Sequence, residues 1–261
     1  MTARDSYPPG TPCWADLGTP DVVASRDFYV ELFDWTSSEG DAEHGGYTVF
    51  SLDGAEVAGV GPVGGTGFAP SWGVYVSVAD LQATEAAVQA AGGRTLVAPL
   101  AIGSGGRMAV FADPAGAAVH VWEPGHFPGA RVTDVPGSLT WVELTTHDQT
   151  GAAAFYGEVF GWTYRTVPMG FGPYGICTVD GVDVAGVATM APGMPAEPAA
   201  LWTPYFEVVD PDDTAGRCAD LGGRVLQEPV DVPAGRFALV ADQFGASFGL
   251  IRGAAEPVPA G

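Results

Sequence analysis

The chain of 261 residues is 47% hydrophobic and 11% aromatic, which is typical of a folded globular protein with one large or two ordinary domains. Its formal net charge is −21, and all ten basic residues are arginine. The absence of lysine excludes Schiff-base and P-loop lysine chemistry. The acidity argues against a nucleic-acid partner, because phosphate neutralisation needs a basic face.

The sequence carries no recognisable membrane or secretion signal. Its apolar runs are too short to cross a bilayer as a helix, and residues 1–10 lack the apolar core of a signal peptide. The three cysteines, Cys13, Cys177 and Cys218, are far apart and form no CxxC pair, which indicates reduced thiols. We therefore predict a cytoplasmic protein without a membrane partner.

The predicted elements of the first half follow one order twice. A short alternating strand, Trp14–Thr19, precedes a helix for which Asp21 is the expected N-cap. Two strand-like runs follow at 47–54 and 55–63, with a hairpin turn at Asp53-Gly54. The order then restarts with a strand at Trp72–Val78, a helix at Asp80–Ala91, and strands at Thr95–Ile102, Arg107–Asp113 and Ala117–Trp122. Each half is therefore expected to contain two βαβββ modules.

The second half repeats the first. Residues 14–60 align without a gap to residues 141–187, so that residue n of this block corresponds to residue n + 127. The octapeptide FYVELFDW at 28–35 recurs as FYGEVFGW at 155–162, and we predict it to be the buried stripe and end of the first helix in each half. We predict domains at 11–124 and 137–252, loose tails at 1–10 and 253–261, and a Pro/Gly-rich linker at 125–136 that holds neither strand nor helix.

A known family shares this order of features. The helix ending FYxxxFxW, the later Gly-Gly-Arg and the DPxG turn at 113–116 resemble the vicinal oxygen chelate (VOC) superfamily of glyoxalases, bleomycin-resistance proteins and extradiol dioxygenases. The tandem form resembles a mycobacterial and streptomycete group described as a 27-kDa antigen, glyoxalase-like protein or hydroxylase. The resemblance implies an α+β fold of two tandem VOC domains. In each, paired βαβββ modules would form a curved, cup-like mixed sheet with its helices outside.

The metal-ligand positions that the resemblance implies are poorly filled in this chain. They carry Trp14 and Trp141 on the first strands, Gly73 and Thr203 on the middle strands, His120 and Gly249 on the last strands, and Ala58 and Ala185 at the fourth position. His120 is the one retained ligand-type residue, and a single imidazole does not hold a divalent ion. We predict no metal and no other cofactor, although an unorthodox site pairing Asp16 with His120, or Glu143 with Glu207, stays open.

Four side chains are candidates for acid/base work: Asp16, His120, Glu143 and Glu207. Strand alternation predicts that they point into the cups, where a desolvated carboxylate has a raised pKa and serves as a general base. The alternatives are an ion pair of Asp16 or Glu143 with Arg107 or Arg236, and a hydrogen-bonded interior role for His120. The predicted substrate-binding residues of the cups are Trp14, Tyr75, Ser77, Trp122, Trp141 and Tyr205.

These features predict a glyoxalase/bleomycin-resistance-like protein of secondary metabolism or resistance. It would bind a small apolar or aromatic metabolite in a cup without a catalytic metal. The first alternative is a hydroxylase- or isomerase-like enzyme that uses the cup carboxylates and His120 as acid and base. Two further hypotheses remain. One is a metal-dependent lyase or dioxygenase, which the ligand positions do not support, and the other is a structural role with vestigial cups. The partner is a small molecule, and the chain is expected to be a monomer with an internal pseudo-dimer, a further homodimer being the alternative.

Overall fold

A computed structural model describes residues 2–40, 45–63, 69–169, 172–190 and 200–254. The helices of these residues are α1 (Val22–Phe33), α2 (Leu81–Ala90), α3 (Gln149–Phe160) and α4 (Pro211–Asp220). The strands up to the end of the first half and its linker are β1 (Thr2–Ala3), β2 (Pro12–Thr19), β3 (Thr36–Ser37), β4 (Thr48–Leu52), β5 (Ala55–Pro62), β6 (Ser71–Ser77), β7 (Arg94–Ile102), β8 (Gly106–Ala112), β9 (Ala118–Pro124) and β10 (Val132–Thr133). Those of the second half are β11 (Leu139–Thr146), β12 (Thr163–Pro168), β13 (Pro173–Val179), β14 (Val182–Thr189), β15 (Ala200–Glu207), β16 (Arg224–Val232), β17 (Gly235–Ala241) and β18 (Ser247–Gly253).

Each half forms one eight-stranded mixed sheet. The order is β3-β4-β5-β2-β6-β9-β8-β7 in the first half and β12-β13-β14-β11-β15-β18-β17-β16 in the second. Two βαβββ modules meet at an antiparallel central pair, β2 with β6 and β11 with β15, and each module closes with a parallel pair. The predicted α+β fold of two tandem domains with paired modules is therefore confirmed.

The octapeptide at 28–35 forms the end of α1, as predicted. Asp21 caps the helix by accepting a hydrogen bond from the Ala24 amide at 3.0 Å, and Asp34 ends it in the left-handed conformation with a φ of 56°. The helix face that is buried consists of Phe28, Tyr29, Leu32 and Phe33, together with the small Ser25. The helices cover the face of each sheet opposite the predicted cup, where their apolar side chains join the main hydrophobic core.

The same octapeptide also joins the two halves, which the sequence pattern did not predict. The Tyr29 hydroxyl donates to Oδ2 of Asp242 at 3.2 Å, and the Trp35 indole donates to the Gly137 carbonyl at 2.7 Å. In the second half, Tyr156 donates to Asp113 at 3.1 Å and Trp162 to the Gly10 carbonyl at 2.7 Å. Helix α1 packs on α4 and α2 on α3, and the central strands β6 and β15 of the two sheets also contact each other.

The prediction of a loose N-terminal tail and a linker without a strand was wrong. Strand β1 of the tail pairs antiparallel with β10 of the linker, so that each satisfies the backbone groups of the other. The Tyr7 hydroxyl donates to the Ala130 carbonyl at 2.7 Å, and the Arg131 amide donates to the Glu56 carbonyl at 2.7 Å. Ala130 and Val132 are buried, because the linker crosses the first domain rather than passing through solvent. Of the predicted C-terminal tail at 253–261, residues 255–261 lie outside the described residues.

None of the described helices has the length and apolar character needed to span a membrane.

Candidate ligand-binding cups

A carboxylate held by tyrosines lies on the face of the first sheet opposite its helices, which we call cup 1. Asp16, on the central strand β2, accepts hydrogen bonds on Oδ2 from the Tyr75 hydroxyl at 2.8 Å and the Tyr47 hydroxyl at 3.3 Å. Tyr47 in turn accepts a hydrogen bond from the Trp14 indole at 3.2 Å. Trp14, Tyr75 and Trp122 are buried in a hydrophobic cluster separate from the main core, which places these predicted residues together.

The second sheet repeats this cluster on its corresponding face, which we call cup 2. Glu143 on β11 accepts from the Tyr174 hydroxyl on Oε2 at 2.7 Å and from the Tyr205 hydroxyl on Oε1 at 3.2 Å. The Trp141 indole donates to the Tyr174 hydroxyl at 3.0 Å. The two cups therefore share one arrangement, in which an indole supports a tyrosine and two tyrosines hold a carboxylate.

A glycine makes room for one tyrosine in each cluster. Gly59 pairs with Asp16 across β2 and β5, and a Cβ at Gly59 would overlap the Tyr47 hydroxyl. Gly186 pairs with Glu143 across β11 and β14, and a Cβ there would overlap the Tyr174 hydroxyl. A side chain at either glycine would displace the tyrosine from its carboxylate.

Burial shifts the pKa values of the carboxyl and tyrosine hydroxyl groups in both clusters. It raises the pKa of Asp16 to about 6, although the two tyrosine hydrogen bonds act in the opposite direction and part of the side chain remains accessible. It also raises the pKa of Glu143, again against two tyrosine hydrogen bonds. The pKa values of the four tyrosines are raised by burial and by the nearby carboxylates, so their hydroxyls remain protonated donors: Tyr47, Tyr75, Tyr174 and Tyr205.

His120 lies beside the carboxylate cluster of cup 1. It pairs with Tyr75 across β6 and β9, and the two rings meet edge to face with centroids 4.7 Å apart. Its ring lies over Gly73, where a Cβ would overlap it. Burial lowers the pKa of His120 to about 4, so the imidazole is neutral at pH 7. Its Nδ1 atom is buried without a hydrogen-bond partner among the described residues, so the alternative of a hydrogen-bonded interior role finds no support at this atom.

Two predicted substrate-binding residues contact the chain's own tail and linker. The Ser77 hydroxyl donates to the Tyr7 carbonyl at 3.3 Å, and the Trp122 indole donates to the Phe127 carbonyl at 2.8 Å. The Phe127 ring also lies against Trp14, with centroids 5.0 Å apart. The tail and the linker thus cover one end of cup 1, where Ser77 and Trp122 contact the chain itself.

Glu207 stands apart from the other acid/base candidates. It follows Tyr205 by two residues on β15, and its Oε1 accepts from the Gly253 amide at 3.1 Å. Burial raises the pKa of its carboxyl group. The hydrogen bonds of Glu143 do not include Glu207, so the structure does not join these two carboxylates in one network.

The arginines considered as partners of the cup carboxylates bind elsewhere. Arg107 pairs with Glu123 at 3.3 Å. Arg236 donates to Asp212 at 2.8 Å and to Asp231 at 3.1 Å. The alternative of an ion pair with Asp16 or Glu143 was therefore wrong, since tyrosine hydroxyls occupy the carboxylates instead.

The donor set of the cups does not fit the metal of the VOC family. Three or four ligands are usual, whereas cup 1 offers one carboxylate and one imidazole, and cup 2 offers one carboxylate beside Gly249. Across the described ranges, no three His, Cys, Asp or Glu side chains gather in a group that could hold a metal ion.

Sequence reasoning missed Tyr47 and Tyr174, which complete the two clusters. A signal was available, because both lie in the gapless repeat at positions n and n + 127, as do Gly59 and Gly186. Strand alternation does not mark these tyrosines, because each reaches its carboxylate across the intervening strand, over Gly59 of β5 or Gly186 of β14.

Comparison with known proteins establishes the family. The model of the Glyoxalase/Bleomycin resistance protein/Dioxygenase superfamily matches residues 13–121 and 138–250. The chain belongs to this superfamily, and the resemblance seen in the sequence is confirmed.

Two groups of relatives extend over nearly the whole chain. The chain is 40% identical to the anthracycline biosynthesis protein DauV of Streptomyces sp. (strain C5), over 94% of each chain. It is 36% identical to CFP32 of Mycobacterium tuberculosis (strain CDC 1551 / Oshkosh), which carries the name of a glyoxylase, over 98% of this chain and 100% of the relative.

Solved structures share the fold at low sequence identity. The Mn(II)-bound glyoxalase from Novosphingobium aromaticivorans superposes with a TM-score of 0.65 at 17% identity, covering 94% of this chain and 82% of its own. The 2,3-dioxygenase LapB from Pseudomonas sp. KL28 gives a TM-score of 0.66 at 14% identity, with 95% and 94% covered. At this identity the similarity shows the fold alone.

Proposed function

We propose that this chain binds a small planar aromatic metabolite in a cup, without a catalytic metal. The observation that carries the proposal is a partly buried carboxylate, held by two tyrosine hydroxyls and flanked by tryptophan, on the sheet face opposite the helices. Ligand pockets commonly combine aromatic walls with a few fixed polar groups. Tyrosine and tryptophan supply a large apolar surface and one hydrogen-bonding atom each, which suits a flat ring system with polar substituents.

The names of two relatives support a more specific class of ligand. DauV and DnrV are named for anthracycline biosynthesis, and both are 40% identical to this chain. Anthracyclines contain fused aromatic and quinone rings, so we propose a polycyclic, polyketide-like ligand of secondary metabolism. This role requires no group beyond the described side chains of the cup.

Binding of a soluble anthraquinone tests the proposal. We expect 2,6-dihydroxyanthraquinone to quench tryptophan fluorescence and to raise the melting temperature of protein that has been dialysed against a chelator. A ligand at about one hundred times its Kd stabilises the folded state by about 2.7 kcal/mol.

A bound metal would contradict the metal-free proposal. Elemental analysis that finds about one transition metal per chain, together with loss of binding after chelation, would do so. An unchanged melting temperature and unquenched fluorescence across fused-ring aromatic compounds would remove the binding function itself.

A second candidate, an isomerase-like enzyme, is favoured by one specific observation. Asp16, with a pKa of about 6, lies beside a neutral His120 whose Nδ1 has no partner in the described part of the chain. A carboxylate poised near neutral pH can take a proton from a substrate carbon next to a carbonyl group and return it to another position, which balances as an isomerisation.

The isomerase hypothesis is tested by measuring catalytic turnover. Proton exchange from an aromatic polyketide ketone into deuterated water should depend on Asp16 and fall by about a hundredfold or more in Asp16→Asn. Full exchange by that variant would remove Asp16 from the enzyme hypothesis.

We also propose that the chain is a monomer. The two halves pack their helices against each other, α1 on α4 and α2 on α3, as two subunits do across a two-fold interface. Light scattering on the purified protein should give a mass near 26.7 kDa, and a mass of about twice that value would indicate a dimer.

A further inference from the structure

The carboxylates of the two cups are satisfied to different degrees. Both tyrosines of cup 1 donate to the same oxygen of Asp16, Oδ2. Among the described residues, no donor is hydrogen-bonded to Oδ1 of Asp16. In cup 2, Tyr174 donates to Oε2 of Glu143 and Tyr205 donates to Oε1, so each carboxylate oxygen already has a partner. The longer glutamate side chain brings its two oxygens between the two tyrosines.

The last strand of each sheet adds a second difference. Cup 1 carries His120, whose ring lies over Gly73, and cup 2 carries Gly249 and Thr203 at the corresponding positions. A Cβ at Gly249 would overlap the Tyr205 ring. The tyrosine thus fills, in cup 2, the space that the histidine takes in cup 1.

These differences leave two polar atoms of cup 1, on residues that flank the same glycine, without a hydrogen-bond partner among the described residues. Gly73 pairs with Asp16 across β2 and β6 and also lies beneath the His120 ring, so the carboxylate and the imidazole flank one glycine. Nδ1 of His120 is buried and has no partner in the described part of the chain. A polar atom without a hydrogen-bond partner costs free energy when it is buried, so cup 1 gains from a ligand that supplies the missing partner.

From this asymmetry we infer that cup 1 is the ligand site and recognises a planar aromatic ligand by accepting hydrogen bonds from its hydroxyl groups. Cup 2 is a structural copy that holds no ligand. The inference rests on the proposed function and specifies its site and ligand class. A phenolic or enolic hydroxyl of the ligand donates to Oδ1 of Asp16, whose carboxylate is partly accessible. One ligand binds per chain.

Equilibrium dialysis with two probes tests this inference. The first probe is 2,6-dihydroxyanthraquinone, and the second is unsubstituted anthraquinone, which has the same ring system and no hydroxyl donor. We expect one dihydroxy ligand per chain and an affinity about 10- to 100-fold higher than for anthraquinone, the effect of one or two hydrogen bonds to charged or buried acceptors. Equal affinity for the two probes, or two bound ligands per chain, would overturn the inference.

Two variants that each remove one negative charge locate the site. Asp16→Asn should weaken binding of the dihydroxy probe by about tenfold or more, because the amide accepts from the tyrosines and turns its NH₂ group toward the ligand hydroxyl. Asp27→Asn, on the exposed side of α1, is the charge-matched control and should bind like the original chain. Loss of binding in Glu143→Gln with normal binding in Asp16→Asn would place the site in cup 2 and overturn the inference.

The outcomes separate this inference from the proposed function. If neither probe binds, the binding function itself fails. If both probes bind equally, or two molecules bind per chain, the binding function stands and the assignment to cup 1 fails. Circular dichroism and the melting temperature of each variant show whether the fold is retained.

Discussion

The two halves agree on the side where they meet and differ on the side that faces away. At the interface, Trp35 and Trp162 each donate to a backbone carbonyl just before the first long strand of the other half, at 2.7 Å in both cases. Tyr29 and Tyr156 each donate to the turn aspartate of the other half, at 3.2 and 3.1 Å. The cups, by contrast, differ at equivalent positions. Cup 1 has an aspartate and a histidine where cup 2 has a glutamate and a glycine.

This difference shows which features a duplicated fold must keep in both copies. The interface uses each contact twice, once in each direction, so a change in either half breaks a contact that the other half also uses. A ligand site has no such requirement, because one working cup is sufficient for binding. The cups can therefore diverge while the octapeptides remain nearly the same.

The largest expected effect tests the equivalence of the interface contacts. Trp35→Ala and Trp162→Ala should each lower the free energy of unfolding by about 3–5 kcal/mol, because each removes a buried aromatic side chain. Urea denaturation measures both values. Trp35→Phe and Trp162→Phe, which keep most of the packing and lose the indole donor, serve as controls with smaller losses. A loss below about 1 kcal/mol in one alanine variant would show that the two contacts are not equivalent.

Smaller losses should follow removal of the hydroxyls that cross the interface. Tyr29→Phe and Tyr156→Phe should each cost about 1–3 kcal/mol, because the turn aspartate loses a donor and the indole of Trp72 or Trp202 loses its acceptor. The same urea titration applies. If either substitution is neutral, the hydrogen bonds across the interface contribute less to stability than the packing around them.

The smallest expected effect lies in cup 1 and depends on pH. The pKa of Asp16 is about 6 in the folded chain and 3.8 ordinarily, so the folded state binds its proton more tightly and loses stability as pH rises between these values. Asp16→Asn has no proton to lose. The variant should be more stable than the original chain by about 1 kcal/mol at pH 8, because the partly accessible carboxylate carries only part of the burial cost.

The pH profile supplies its own control. The advantage of Asp16→Asn should shrink as pH falls toward 4 and vanish below it, as the carboxyl becomes protonated in the unfolded as well as the folded state. Tyr47 and Tyr75 remain protonated throughout, and His120 gains its proton in both proteins alike. Thermal melts at intervals between pH 4 and pH 8 measure the difference. A stability gain that does not change with pH would show that Asp16 titrates like an exposed carboxyl.

Much of the fold could be predicted because local signals agreed with one another. The N-cap at Asp21, the apolar stripe of α1 and the Asp53-Gly54 turn are encoded over a few residues, and the structure confirms all three. Alternation along β2 placed Trp14 and Asp16 on one face. The linker was misjudged because its Pro and Gly residues look irregular, while β10 forms only by pairing with residues about 130 positions away.

By itself, the sequence determined the duplication, the module order and the strand faces, because periodicity and repeats are properties of neighbouring residues. Only the tertiary structure decided which groups meet. It brought Tyr47 and Tyr75 onto one oxygen of Asp16 from separate strands, and it divided the tyrosines of cup 2 between both oxygens of Glu143. It also placed the His120 ring over Gly73. Such contacts depend on side-chain length and on the packing of distant strands, which no local pattern encodes.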